Sequence, residues 1–307
     1  MLNVSHDREI FAIAISPFVY PVLDTLYESN YSATDLTNTR DWLASFLERD
    51  YALTRSGRHA LDLVLRELAL SEMDVVTIFP SYGDFYVSGC VTKTIERHCR
   101  WSMKIEPATK AVLVIHEWGI PHPTLENVFE LGFPVIEDCA YAFASRHANN
   151  RVGIKGNYAI YSLSKFFPVN YGGIVCGLKN GRRLISDREE VNLLKSMWIS
   201  GGIDKICSMR IDNWNYLKCL FLTIGVTPHF ELSMGLVPGV FMFSVHEGIQ
   251  PDLVKIAYQE HGVESSVYYG SSSVYIPCHQ NLGRGSMEYL FQIYETVALK
   301  LNRESGL

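Results

Sequence analysis

Apolar and polar positions along this chain switch repeatedly between a helical period and short apolar runs, and that alternation predicts an α/β protein. Within residues 39–50, Trp42, Leu43, Phe46 and Leu47 share one face at helical spacing. Residues 58–70 repeat the pattern, with Leu61, Leu65 and Leu68 as the apolar stripe and Ser56-Gly57 directly before it. Short β-rich runs then occupy residues 75–79, 91–96, 111–115, 134–138, 158–162 and 173–177. Four of them are nearly unbroken apolar residues, as expected of strands covered on both faces. Stretches between them, such as residues 123–131, suit crossover helices. The order predicts a central, mostly parallel, mixed sheet.

After residue 180 the pattern changes. Residues 189–198 and 212–222 read as helices, and residues 240–245 and 266–269 as strands. Residues 286–302 form a long closing helix, with Tyr289, Ile293 and Val297 along one side. The expected organisation is a large α/β domain over residues 1–205, including an N-terminal helical segment, and a smaller α+β domain over residues 206–307.

Composition narrows the functional classes. Hydrophobic residues make up 48% of the 307 and charged residues 20%, the balance of a soluble globular protein. With a net charge of -6, the chain lacks the basic stripe that nucleic acid or an anionic membrane would require. The seven cysteines are odd in number and widely spaced, with no CxxC. That pattern argues against a disulfide framework and a tetrahedral zinc site, and suits a reducing, cytoplasmic compartment. No metal site is expected, since His98-Cys99 and Cys278-His279 are isolated pairs. The apolar stretch at residues 10–23 is interrupted by Pro17 and Pro21 and is too short to span a bilayer. Neither G-x-G-x-x-G nor G-x-x-x-x-G-K-[ST] occurs, which sets aside the common nucleotide-binding loops.

Three features carry chemistry, each at the expected end of a strand, where α/β sheets bind ligands. Ser56-Gly57-Arg58-His59 opens a helix, and the free amides there attract phosphate; alone, Ser-Gly reads equally as a cap. Asp138 closes residues 134–138 and can pair with a protonated pyridine nitrogen; alone it too reads as a cap. Its neighbour Glu137 points to the opposite face and is expected to be structural. Lys165 lies between an apolar strand and the aromatic turn Phe166-Phe167-Pro168. Burial there is expected to lower its pKa and make the amine a competent nucleophile.

The ordered set resembles a known family. Thr54-Arg55-Ser56-Gly57-Arg58-His59-Ala60-Leu61 is similar to the Ser-Gly-Thr-x-Ala-Leu segment of the DegT/DnrJ/EryC1/StrS sugar aminotransferases. Residues 112–119, ending His116-Glu117-Trp118-Gly119, resemble their Val-His-Leu-Tyr-Gly. Pro134-Val135-Ile136-Glu137-Asp138-Cys139-Ala140 resembles their Pro-Val-Ile-Glu-Asp-Ala-Ala. Ser162 through Lys165 to Gly172-Gly173 is similar to their active-site strand, and Ile276-Pro277-Cys278-His279 more weakly to their Leu-Pro-Leu-His. The resemblance implies the PLP-dependent transferase fold type I and a homodimer.

It also implies a set of residue roles. Lys165 would carry pyridoxal 5'-phosphate (PLP) as a Schiff base, and Asp138 would hold the pyridine nitrogen. Gly57, the amides of Arg58 and His59, and the Ser162 hydroxyl would bind the phosphate. Tyr82, favoured over Phe85, would stack on the ring. Tyr141 would reach the cofactor hydroxyl, while His116 and His279 would approach substrate. The implied reaction transfers an amino group from an amino acid, expected to be glutamate, to a nucleotide-linked keto-sugar in surface polysaccharide or natural-product sugar biosynthesis. Other PLP chemistry (sugar dehydration, or a small amino-acid substrate) and a catalytically idle partner protein are the alternatives. Two departures stand out: Arg58 replaces the family's Thr, and the segment after Gly173 is short. Only Ser208-Met209-Arg210-Ile211-Asp212-Asn213 remains there as a remnant of the family's Asn-x-Arg element.

Overall fold

The computed structural model describes residues 12–17, 31–82, 87–147, 150–179 and 184–304. Helix α1 (Ala33–Leu47) is capped by Ser32, whose side chain and that of Asp35 bond reciprocally to each other's backbone. It buries Leu43 and Leu47. Strand β1 (Tyr51–Thr54) then leads through Arg55 and Ser56 into α2 (Gly57–Glu67). Next come β2 (Val75–Pro80), α3 (Gly89–Ile95), β3 (Arg100–Ser102) and β4 (Thr109–Ile115). They are followed by α4 (Leu125–Phe129), β5 (Val135–Asp138), the small hairpin β6 (Arg146–His147) and β7 (Asn150–Arg151), β8 (Tyr158–Ser162) and β9 (Gly173–Cys176).

Seven of these strands form one sheet in the order β1-β9-β8-β5-β4-β2-β3. Strands β8, β5, β4, β2 and β3 pair in parallel, and β9 runs antiparallel to both its neighbours. The sheet is therefore mixed and mostly parallel, as expected. Both faces are covered, which is why its strands read as unbroken apolar runs. Along β4, Val112 and Val114 pack on one face with Phe143 and Tyr161, while Ala111 and Leu113 pack on the other with Leu61 and Leu65 of α2.

Residues 91–96, expected as a strand, instead supply the end of α3 up to Ile95 and its C-cap, Glu96. Ser88 caps this helix at the Cys90 amide, and Val91 and Ile95, four residues apart, both turn inward. Burial of that pair against α2 outweighs the β preference of Val, Thr and Ile. Other elements had no expectation attached: β1, β3, α7 and β12 emerge only in the structure.

Helix α5 (Asp187–Ile199) still buries Leu193, Leu194 and Met197 in the large-domain core, and the second unit comprises α6 (Ile203–Leu222), β10 (Val240–Ser244), α7 (Pro251–Glu260), β11 (Ser266–Tyr268), β12 (Ser273–Pro277) and α8 (Arg284–Glu304). Strands β10, β12 and β11 form an antiparallel sheet. Trp214, Phe221, Phe241, Phe243, Tyr258 and Tyr294 fill its core. Helix α5 packs back on α1. Helix α6 starts on the large-domain core at Ile206 and reaches the small-domain core by Trp214. A boundary at residues 205–206 thus falls within its first turn. Among the described residues, no helix is long and apolar enough to cross a membrane.

The turn after β1 is pressed against the turn before β9. The Gly172 N–H donates to the Arg55 carbonyl at 2.8 Å, and Ser56 bridges Gly172. A Cβ on Gly173 would lie 2.6 Å from the Gly57 nitrogen, a backbone atom that cannot swing away. Gly173→Ala is therefore expected to destabilise the protein by about 1–3 kcal/mol or more in urea unfolding. Gly89→Ala, where a Cβ meets open space, should be neutral or slightly stabilising.

Candidate active site

A cavity of about 680 Å³ opens beyond the carboxyl ends of β1, β4, β5 and β8. Each strand brings a functional side chain to it. Gly57 and Arg58 come from the start of α2, His116 and Glu117 follow β4, Asp138 ends β5, and Ser162 and Lys165 end β8 or follow it. The sheet's parallel order delivers them to one place although 108 residues separate Gly57 from Lys165 (165 − 57 = 108).

At the α2 end, a Cβ on Gly57 would stand 3.2 Å from the Ser162 Cβ, so glycine lets the helix start approach β8 closely. Helix N-terminal amides have no intrahelical partner and attract anions. The His59 amide is an exception to the expectation. It donates to the Ser56 hydroxyl at 3.1 Å as the helix cap, and His59 does not line the cavity. The Arg58 guanidinium reaches the Cys90 sulfur at 2.8 Å.

Asp138 is 6% exposed, and its Oδ1 accepts the Ala140 N–H at 2.9 Å. Burial pushes its carboxyl up to about 6. Glu137, one residue earlier, points the other way into a network. Its carboxylate accepts the amides of Gly153 (2.7 Å) and Gly156 (2.6 Å) and the His116 Nε2 at 3.1 Å. It is structural, as strand alternation predicts. His116 accepts the His122 amide on Nδ1, so its Nε2 carries the hydrogen toward Glu137. Both ring nitrogens are thereby engaged, although the ring borders the cavity. His116, Glu137 and Cys139 present potential ligand atoms within 4.8 Å of one another, but this bonding already uses the imidazole and the carboxylate.

Lys165 lies in a helical turn after β8, with its Nζ 4.9 Å from the Tyr141 ring centroid. Its amine is raised, not lowered as the sequence suggested. The neighbouring Tyr141 side chain is the largest cause and outweighs burial, which pushes the other way. The main chain of the lysine is fastened as well. Fully buried Arg210 donates to the Lys165 carbonyl at 2.9 Å, to the Pro238 carbonyl at 3.3 Å and to Gln280 Oε1 at 2.9 Å. The remnant segment is thus spent inside its own chain. Asn213 of the same segment bonds the His279 carbonyl at 2.8 Å.

Two further expectations do not fit the cavity. The Tyr82 hydroxyl donates to the His229 carbonyl at 3.1 Å, toward the small domain, and Tyr82 does not line the cavity. Phe85 lies outside the described residues. His279 is 3% exposed, with Nε2 on the Ala14 carbonyl and Nδ1 accepting the Asn281 amide. Burial pushes it down to about 3, so it is a neutral strut.

Sequence reasoning gave no role to Trp118, Glu117, Glu264 or Ile15, all of which line the cavity. Trp118 holds a left-handed backbone (φ 56) and stands against Tyr275 at 4.3 Å and Tyr141 at 5.0 Å between centroids. Its place beside His116 in a matching motif was the available signal. Glu264 and Ile15 had none, because the pairing of residues 12–17 with the small domain is not written in any local pattern.

Comparisons now give the class. The chain has the fold type I of PLP-dependent transferases. It superposes on the putative sugar aminotransferase Spr1654 from Streptococcus pneumoniae with a TM-score of 0.73 at 15% identity, over 93% of this chain and 96% of that one. The aminotransferase TlmJ from Streptoalloteichus hindustanus gives 0.71 at 17% identity, over 92% and 96%. More particularly, residues 99–177 match the sequence model of the DegT/DnrJ/EryC1/StrS aminotransferase family, which bears out the resemblance over that segment. GDP-perosamine synthase from Escherichia coli O157:H7 is 33% identical over 146 residues, 41% of this chain and 40% of that protein. The matched part thus spans less than half of that relative.

Burial also pushes Glu117 up to about 7, against the pull of the Tyr82 and Ser81 amides that it accepts. A carboxyl raised in the folded state contributes stability that is complete below its unfolded value near 4.5 and is lost as pH rises through 7. Glu117→Gln should remove that decline. The difference in unfolding free energy between variant and wild type should shift in favour of the variant by ~3 kcal/mol between pH 4 and pH 8.

Proposed function

We propose that this protein is a PLP-dependent aminotransferase that moves an amino group from an amino acid, with glutamate as the expected donor, to a nucleotide-linked keto-sugar. One observation carries the reading: Lys165 and Asp138 share a single cavity with the helix start at Ser56 and Gly57. The family match over residues 99–177, which includes both Asp138 and Lys165, supports it. So do the PLP-form and PMP-form in which Spr1654 is known, since that protein shares the fold.

The residues present fit the cofactor. A phosphate suits the amides at the start of α2, where Gly57 admits close approach, with Ser162 and the Arg58 guanidinium beside it. The buried Asp138 carboxylate has one oxygen anchored by Ala140, which orients the group toward a pyridinium nitrogen. Such an ion pair would bring Asp138 back down from its raised value. The Tyr141 hydroxyl stands by Lys165 to hydrogen-bond the cofactor hydroxyl. When bound, PLP supplies an electron sink that stabilises negative charge at the carbon of an attached amine.

Around that sink the chain's own groups do the rest. Lys165 Nζ would hold the cofactor, and its free amine would move a proton between the donor's α-carbon and the cofactor's C4′. Asp138 keeps the ring nitrogen protonated, while Glu137 and His116 hold the strand end that positions it. Trp118, Tyr141 and Tyr275 wall the cavity and exclude water. Surface polysaccharide or natural-product sugar biosynthesis is the proposed setting. The relative's name, GDP-perosamine synthase, supports an amino sugar on a nucleotide as the product class.

The test is chemical. Purified protein incubated with PLP should turn yellow, and borohydride reduction should leave the cofactor mass on the peptide that contains Lys165. Lys165→Ala should slow conversion of the cofactor by glutamate by ~10²–10⁴-fold. A colourless protein without a tagged peptide would overturn the proposal.

A further inference from the structure

The cavity is not lined by large-domain residues alone. Glu264, in the turn after α7, brings a carboxylate into it from the small domain. Its position is firmly set. The Glu264 N–H donates to the Ile13 carbonyl at 2.9 Å, and Ile13 donates back to the Gly262 carbonyl at 3.1 Å. Val263 and Ser265 on either side are buried, at 0% and 4% exposure. Glu264 Oε2 accepts the Ile15 amide at 2.7 Å, whereas Oε1 carries no bond among the described residues. No Lys, Arg or His forms an ion pair with it among those residues either. Glu264 and Lys165 line the same cavity.

A carboxylate with one oxygen unbonded among the described residues selects its ligand by charge and by hydrogen bonding. A donor such as glutamate carries two carboxylates and is repelled by a third at close range. A sugar ring is neutral and rich in hydroxyl donors, and a carboxylate oxygen accepts such hydrogen bonds strongly. Cationic side chains line the same cavity from the α2 side, where Arg55 and Arg58 stand. The cavity therefore carries both cationic and acidic lining.

We propose that Glu264 is a specificity-determining residue that accepts hydroxyl hydrogen bonds from the sugar ring and takes no favourable part in binding the amino-acid donor. The inference rests on the aminotransferase reading and deepens it. It separates the two half-reactions of one site by one side chain.

Glu264→Gln tests it, since the amide oxygen can still accept the Ile15 N–H while the charge is lost. The PLP-loaded protein is titrated with glutamate and, in the reverse direction, with GDP-perosamine and other nucleotide-linked amino sugars. Absorbance follows conversion to the pyridoxamine form. In the variant, the amino-sugar concentration for half-conversion should rise by about ten- to a hundredfold. The concentration for glutamate should stay the same or fall. Glu264→Asp, which retains charge but shortens reach, should fall between the wild type and Glu264→Gln for the sugar, and thermal melts check that both variants fold. Equal losses for both amines, or no loss for the sugar, would overturn the assignment. A wild type converted by glutamate but by no amino sugar overturns it too, while leaving PLP chemistry intact. A wild type that neither compound converts fails the aminotransferase reading itself.

Discussion

The site depends on how closely two turns can approach. Ser56 and Gly57 at the start of α2 sit directly on Gly172 and Gly173 at the start of β9, backbone against backbone. There the helix start reaches Ser162, and the helix end and the lysine turn share one cavity. A single methyl group at Gly173 would meet main chain it cannot displace. The antiparallel strand β9, an interruption in an otherwise parallel sheet, is what brings the second turn back to that spot.

Charge is arranged around this contact in two tiers. The inner tier is satisfied and immobile: Glu137 holds two loop amides and His116, and His116 in turn takes the His122 amide. The outer tier is left able to change partners. Asp138 is raised by burial, and Lys165 is raised by Tyr141 against burial. Strand alternation separates the tiers, since consecutive residues of β5 serve opposite purposes. A carboxylate that scaffolds and one that faces the cavity thus differ only in parity along the strand.

Much of this was legible in the sequence where local pattern and chemistry agree. Five of the seven strands of the large sheet read correctly because covering both faces forces continuous apolar runs, and Asp138, Ser162 and Lys165 were placed by strand ends. Residues 91–96 misled because β-branched composition hid an i, i+4 pair that a helix buries just as well. Tyr82, His59 and His279 missed the cavity for another reason. Their side chains or amides are claimed by His229, Ser56 and Ala14, partners set by tertiary geometry. Glu264 was invisible for the converse reason, as nothing nearby in sequence marks a turn that lines the same cavity as a distant lysine.

Arg210 has a mechanical meaning beyond its bonds. A guanidinium that pairs with no carboxylate among the described residues, held between the Lys165, Pro238 and Gln280 groups, is costly to strip of those partners. The two sheets are therefore pinned at the lysine's own carbonyl. Drawing the small sheet away from the lysine turn would have to break bonds made by this one side chain.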